Sequence, residues 1–216
     1  MNLVFPPLYA IIEPTLLTIS ELALAEALAE SGVELIQYRN KTASSRQIFD
    51  ISNQLSKMLN PRGVRFIVND RPDIALLTGA GGVHVGQEDL NVEEARSICG
   101  SDRWVGVSTH TLEQVAAANR TSADYIAFGP IFPTATKQNP DPVVGTELLR
   151  QVRRMTAKPL VAIGGITLER AAEVYRAGAD SLAVISDLIR AANPGKRARE
   201  FLAVAASVMP GREVSG

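Results

Sequence analysis

The stretch Pro159-Leu-Val-Ala-Ile-Gly-Gly-Ile-Thr-Leu-Glu-Arg-Ala-Ala-Glu-Val-Tyr-Arg-Ala-Gly-Ala179 holds one complete unit of the fold. A short apolar run, 159–165, ends in two glycines, and Thr167-Leu168-Glu169 then opens a helical pattern. Seven other runs end in polar or glycine-rich residues in the same way: 8–13, 35–40, 65–70, 82–86, 104–110, 125–130 and 181–186. Strands buried on both faces read as near-continuous apolar runs, and parallel strands need helical crossovers. Eight such units predict an α/β fold, a single-domain (β/α)8 barrel over residues 1–216, with 211–216 as a flexible tail. Barrels of this kind carry their reactive groups at the C-terminal ends of the strands, where the polar residues of this chain cluster.

Helical patterns fill the gaps between the runs. Thr18-Ile19-Ser20-Glu21 reads as a capping-box-like start, Ser44-Ser45 precede a helix that Asn60-Pro61 ends, and Thr111 leads a third helix. Asn193-Pro194-Gly195 should break the last helix into two pieces. The repetition reads as one of elements, not of residues.

Composition narrows the function. The 216 residues are 46% hydrophobic and carry a net charge of −1, so no global field favours nucleic acid or an anionic membrane, and any anion site must be local. One cysteine, Cys99, excludes an intramolecular disulfide; without an activating neighbour it reads as an inert packing residue. The N-terminus lacks a basic region, and two prolines interrupt its apolar run, so no secretory signal is expected. The expectation is a cytoplasmic protein without nucleic-acid or membrane partners, compatible with self-association into a homo-oligomer.

Two phosphate subsites can be read at the rim. Gly164-Gly165-Ile166 and Ile185-Ser186 follow the seventh and eighth runs, the loops that often bind phosphate in such barrels. Gln37, Arg39 and Lys41 alternate along a strand end and should project to one side, joined by Lys137 from a long loop. That concentration of cations suits a diphosphate. Asp70 and Asp89 end or follow neighbouring strands and could share one magnesium ion with phosphate oxygens, assisted by Asn69; their competing role is to cap the helices that follow. The loop 131–144, IFPTATKQNPDPVV, exceeds the usual βα connection of about 2–6 residues and reads as a lid. No strong general base stands out. His84 reads as a satisfied interior histidine, and His110, better placed, is a weak candidate by itself. A site rich in cations and poor in bases suits departure of a diphosphate, with electrostatic stabilisation of the leaving group.

The chain resembles the thiamine-phosphate synthase family. The resemblance is carried by Gln37-x-Arg39-x-Lys41, Val68-Asn69-Asp70, His84-Val85-Gly86-Gln87-x-Asp89 and Gly106-x-Ser108-x-His110. Further along it is carried by Gly129-Pro130-x-Phe132-x-Thr134-x-Thr136-Lys137, Ala162-Ile163-Gly164-Gly165-Ile166 and Val184-Ile185-Ser186. It implies condensation of a hydroxymethylpyrimidine diphosphate with a thiazole monophosphate to give thiamine monophosphate and diphosphate. It further implies that Gln37, Tyr38, Arg39, Asn40, Lys41, Asn69 and Lys137 hold the pyrimidine diphosphate, with Ser108 at the pyrimidine. Thr134, Ala135, Thr136, Gly165, Ile185 and Ser186 would hold the thiazole phosphate. Asp70 and Asp89 would bind one Mg²⁺ per subunit, and Arg39, Lys41, Lys137 and Ser108 would act at the reacting atoms.

Two other readings compete. Related thiazole tautomerases share the fold but shift a proton; this chain has Pro130 where that group is expected to carry a histidine, and its cationic set is intact. A non-catalytic barrel that senses a phosphorylated ligand has no evident use for a metal-plus-diphosphate subsite.

Overall fold

A computed structural model of the chain describes residues 5–134 and 142–209. The strands are β1 (Leu8–Ile12), β2 (Leu35–Tyr38), β3 (Arg65–Asn69), β4 (Gly82–Val85), β5 (Trp104–Thr109), β6 (Tyr125–Phe128), β7 (Leu160–Ile163) and β8 (Ser181–Val184). The helices are α1 (Glu21–Ala29), α2 (Ser45–Leu59), α3 (Pro72–Leu77), α4 (Val92–Cys99), α5 (Leu112–Asn119), α6 (Gly145–Met155), α7 (Leu168–Arg176), α8 (Ser186–Ile189) and α9 (Pro194–Val208). Every strand pairs in parallel with its sequence neighbour, and β1 closes the barrel on β8 through Ala10 and Val184. The expected (β/α)8 barrel is therefore present. The expected tail, 211–216, lies outside the described residues.

Side-chain parity divides the core into two layers. Ile36, Phe66, Val68, Val83, Val105 and Ile126 face outward and pack beneath the helices. Tyr9, Leu35, Ile67, Trp104, Tyr125, Val161 and Ala183 face inward and fill the barrel. Near its N-terminal end Phe5 stacks on Trp104 at 5.1 Å, and the Arg65 guanidinium lies 3.9 Å from the Trp104 ring centre. Such aromatic pairs each add about 0.5–1.5 kcal/mol beyond area burial. The Tyr125 ring has room only because position 106 is glycine: a Cβ there would meet Tyr125 Cζ at 2.0 Å.

Helix starts follow local side-chain chemistry. Ser44 and Gln47 form a reciprocal capping box on α2, as do Asn91 and Glu94 on α4. Ser20, not Thr18, caps α1 by accepting from Ala23 N. Asn193 caps α9, which is separate from α8, so the final helix is broken as expected. Cys99 is buried, its Sγ 3.6 Å from the Pro72 carbonyl, and burial pushes its thiol up, which suits a packing role.

Beside the repeat of elements, two of the units share a few residues. Thr111-Leu112-Glu113 and Ala123-Asp124 recur at the same spacing as Thr167-Leu168-Glu169 and Ala179-Asp180. Asp124 Oδ2 accepts from Val105 N at 2.7 Å and pairs with Arg96 at 2.5 Å. Asp180 Oδ2 accepts from Leu160 N at 2.7 Å and pairs with Arg153 at 2.6 Å. Each aspartate thus fastens the start of the preceding strand to the helix before it. The likeness is scattered over single residues, and the shared staple gives those residues a common purpose.

Candidate active site

The polar residues converge at the C-terminal rim. β2 ends in Tyr38, after which Arg39 turns inward and ion-pairs with Glu13, the residue following β1. Glu13 is buried, and its other carboxylate oxygen accepts from Thr15 Oγ1 at 3.1 Å. Sequence reasoning passed over Glu13, although its position at a strand end was the available signal.

Lys41 reaches across to β3 and β4. Its ammonium is ion-paired with Asp70 and lies 3.9 Å from Asp89 Oδ1. Asp89 is turned back by a tight loop, its Oδ2 accepting from Gly86 N at 2.8 Å. Asp70 has φ 61°, the left-handed region that L residues rarely adopt, and its N–H donates to the His84 carbonyl at 2.8 Å. Neither aspartate caps a helix: Arg71 precedes α3 without a side-chain cap bond, and Asn91 caps α4. The capping role is excluded, and both carboxylates face one cation. Burial pushes the Asp70 carboxyl up to about 6, Lys41 pulling against that rise and neighbouring Asp89 adding to it.

Other predicted residues sit apart from this cluster. Tyr38 is buried in the outer layer, where its hydroxyl accepts from Asn40 Nδ2 at 3.2 Å. The Asn40 carbonyl oxygen accepts from Thr42 N at 3.1 Å and Ala43 N at 3.0 Å, which shapes the turn after β2. These two side chains shape the loop that ends at the rim. Gln37 does face inward like Arg39, but it lies deeper and donates from Nε2 to the Tyr9 hydroxyl at 2.6 Å.

Beyond Tyr9 the contacts continue. Its hydroxyl is 2.9 Å from that of Tyr125, which is 3.0 Å from His84 Nδ1. His84 Nε2 is 2.9 Å from Ser108 Oγ at the end of β5. Burial pushes the His84 imidazole down to about 4, so it is neutral at physiological pH with both ring nitrogens engaged. The interior reading of His84 agrees with this arrangement. His110 Nδ1 faces the Gly129 carbonyl at 2.6 Å; a carbonyl only accepts, so this nitrogen carries the proton and braces β5 against the start of the long loop.

The second predicted subsite corresponds to the ends of β7 and β8. Ile131 N and Phe132 N donate to the carbonyls of Ile163 at 2.9 Å and Gly164 at 3.0 Å, while Val144 N donates to the Pro130 carbonyl at 2.9 Å. The two ends of the long loop are thereby pinned together. Gly165 has φ 62°, and a Cβ there would meet the Pro133 carbonyl oxygen at 2.4 Å, so the glycine is required by the loop base packed on it. Arg170, unnoticed in the sequence, donates to the Gly165 carbonyl at 3.0 Å and lies 4.4 Å over the Phe132 ring. Ser186 begins α8, and the adjacent Asp187 is held by Arg197 at 3.0 Å, which offsets its acidic charge. Thr134 lies at the loop's entry; Ala135, Thr136 and Lys137 lie outside the described residues.

The rim therefore offers cations, two convergent carboxylates and hydroxyls. Among the described residues no group of three or more His, Cys, Asp or Glu side chains converges as a metal cage, so a cation here would rely on Asp70, Asp89, water and ligand oxygens.

Residues 8–188 match the sequence model of the thiamine monophosphate synthases. The thiamine-phosphate synthase of Koribacter versatilis is 49% identical over 210 residues, spanning 94% of this chain and 97% of that protein. That of Chlorobium phaeovibrioides is 47% identical over 163 residues, spanning 76% and 78%. Among solved structures, a thiamine phosphate pyrophosphorylase from Pyrococcus furiosus aligns with a TM-score of 0.86 at 33% identity, covering 94% of this chain and 96% of that one.

Proposed function

The chain belongs to the thiamine monophosphate synthase family and is an enzyme, a transferase; from that premise we propose the reaction in detail. It joins a hydroxymethylpyrimidine diphosphate to a thiazole monophosphate, giving thiamine monophosphate and releasing diphosphate. The observation that carries this reading is the Lys41 ammonium set between Asp70 and Asp89. Two carboxylates that already converge on a positive charge are hard oxygen donors of the kind Mg²⁺ takes, and they fit one ion per subunit. Bound there, Mg²⁺ would supply further neutralisation of diphosphate charge.

The chain's own residues do the rest. Arg39, Lys41 and Lys137, with Asn69 and the backbone around Tyr38 and Asn40, hold the diphosphate. Gln37 and Ser108 form the floor beneath the pyrimidine. Thr134, Ala135, Thr136, Gly165, Ile185 and Ser186 hold the thiazole phosphate. The methylene carbon–oxygen bond breaks with its electron pair leaving on the diphosphate, and the thiazole nitrogen lone pair captures the resulting pyrimidine methylene cation. Cations aimed at the departing oxygens stabilise charge that develops only as the bond breaks. This route needs no general base, in keeping with a His84 whose ring nitrogens are both engaged. The same reading makes the substrates small, diffusible phosphorylated compounds of the cytoplasm, without nucleic acid or membrane. Among the described residues no helix is long and apolar enough to cross a membrane.

Incubation of the purified protein with both substrates and Mg²⁺, following thiamine monophosphate and diphosphate together, tests the reading. Stoichiometric appearance of the two products is expected. Absence of both, or an isomerised thiazole phosphate without condensation, would overturn it.

A further inference from the structure

Five side chains from five strands span the barrel interior in one connected line. Gln37 Nε2 donates to Tyr9 OH at 2.6 Å, Tyr9 OH and Tyr125 OH are 2.9 Å apart, Tyr125 OH is 3.0 Å from His84 Nδ1, and His84 Nε2 is 2.9 Å from Ser108 Oγ. The first four are buried, and only Ser108 reaches the half-buried rim. Position 106 is glycine where a Cβ would meet the Tyr125 hydroxyl at 2.4 Å, so space is reserved for this line.

Proton counting gives the line a direction. A phenol has one proton to donate, and a neutral imidazole has one ring N–H. Burial drives both tyrosine hydroxyls upward in pKa, so each keeps its proton. With the Gln37 amide nitrogen donating to Tyr9, the Tyr9 proton is directed at Tyr125. The Tyr125 proton then meets His84 Nδ1, which must be the unprotonated nitrogen. The imidazole proton lies on Nε2 and points at Ser108 Oγ, so the Ser108 proton is turned outward to the rim. Were the amide reversed, every bond would reverse with it, and Ser108 would spend its proton on His84.

We propose that Tyr9, Tyr125 and His84 are positioning residues, a one-way hydrogen-bond relay set by the Gln37 amide that presents the Ser108 hydroxyl as a donor to a ring nitrogen of a heteroaromatic substrate. The proposal rests on the reading of Ser108 as a pyrimidine contact. It adds that the site selects rings with an acceptor nitrogen at that position, since an analogue with C–H there would leave the Ser108 proton without a partner.

The test reads the His84 tautomer by ¹⁵N chemical shift near neutral pH, without substrate. The chain has 2 histidines, so His84→Asn assigns the signals. The wild type should carry its proton on Nε2. Gln37→Glu, which as a carboxylate can only accept, should draw the Tyr9 proton toward itself and move the imidazole proton to Nδ1. Adding Tyr9→Phe to Gln37→Glu should cut the connection and return the proton to Nε2. Gln37→Glu should also lower kcat/KM for the pyrimidine diphosphate by about tenfold, with the KM for thiazole phosphate unchanged. A wild-type proton on Nδ1, a measurement that needs no variant to fold, overturns the relay; so does a tautomer that Gln37→Glu leaves in place. If the tautomers behave as stated but no condensation occurs, the relay stands and the proposed reaction falls.

Discussion

Lys41 and Asp70 are ion-paired across the β2 and β3 strand ends, with the same ammonium 3.9 Å from Asp89. A divalent cation held by both carboxylates would compete with Lys41 for them, and Lys41 would then be available to the diphosphate. Lys41→Gln is therefore expected to bind Mn²⁺ more tightly than the wild type without substrate, by titration calorimetry, yet to turn over more slowly. Asp70→Asn and Asp89→Asn should each depress turnover severely while leaving the circular dichroism spectrum intact. Because burial raises the Asp70 carboxyl to about 6, cation affinity should rise with pH as that carboxyl ionises. Full activity of both variants in the presence of a chelator would remove the metal from the mechanism.

The two phosphate subsites should separate in mutant kinetics. Arg39→Ala and Lys41→Ala should weaken the pyrimidine diphosphate far more than the thiazole phosphate. Ser186→Ala should do the reverse, by about 1 kcal/mol for one lost hydrogen bond. Equal losses for both substrates, measured by direct titration, would mean that the subsites are merged or exchanged.

His84 links stability to pH. Burial holds its imidazole at about 4 in the folded protein against an ordinary 6.5. Between these values the unfolded chain binds more protons, so stability rises with pH and is lost as pH falls from about 6.5 toward 4. The full contribution is on the order of 3 kcal/mol. Asp70 works the other way over much of this range, because its carboxyl is raised from 3.8 to about 6 and stability falls as it ionises. The comparison that isolates His84 is urea unfolding of wild type and His84→Asn at several pH values. Their stability difference should grow from pH 4 to 6.5; a flat difference would contradict it.

Gly165→Ala tests the loop base. At φ 62°, and with the Pro133 carbonyl 2.4 Å from the new methyl, the substitution should cost about 1–3 kcal/mol. For a chain of this size that lowers Tm by several degrees. The KM for thiazole phosphate should rise as the loop base shifts, and an unchanged Tm and KM would show that the contact is not maintained in solution.

Lys137 lies in the loop whose ends are joined by Val144 N and the Pro130 carbonyl. Its cation is proposed to meet charge that appears as diphosphate departs, so Lys137→Ala should lower kcat strongly with a smaller change in KM. Hydrogen exchange of residues 131–144 should slow when both substrates bind, as expected of a lid that excludes water. Exchange that ligands leave unaltered would instead describe a fixed wall.

The barrel was legible in the sequence because its signal is local: each apolar run, its polar end and the helix start after it lie within one βα unit. The same locality let the sequence bring Asp70, Asp89 and Lys41 to one rim, since neighbouring strands of a parallel barrel bring their ends together without further information. Tertiary structure decided which partner each side chain meets. Parity along β2 sends Gln37 inward, where depth along the barrel brings its amide to the Tyr9 hydroxyl, while Tyr38 faces the helices. Glu13 meets Arg39, and Arg197 meets Asp187, because the barrel closes and α9 packs back on its end. Tyr125 bonds His84 across 41 residues of chain, and Tyr9 across 116. Composition and periodicity along one strand carry no record of such separations; they arise only when eight strands close on one another and share a single interior.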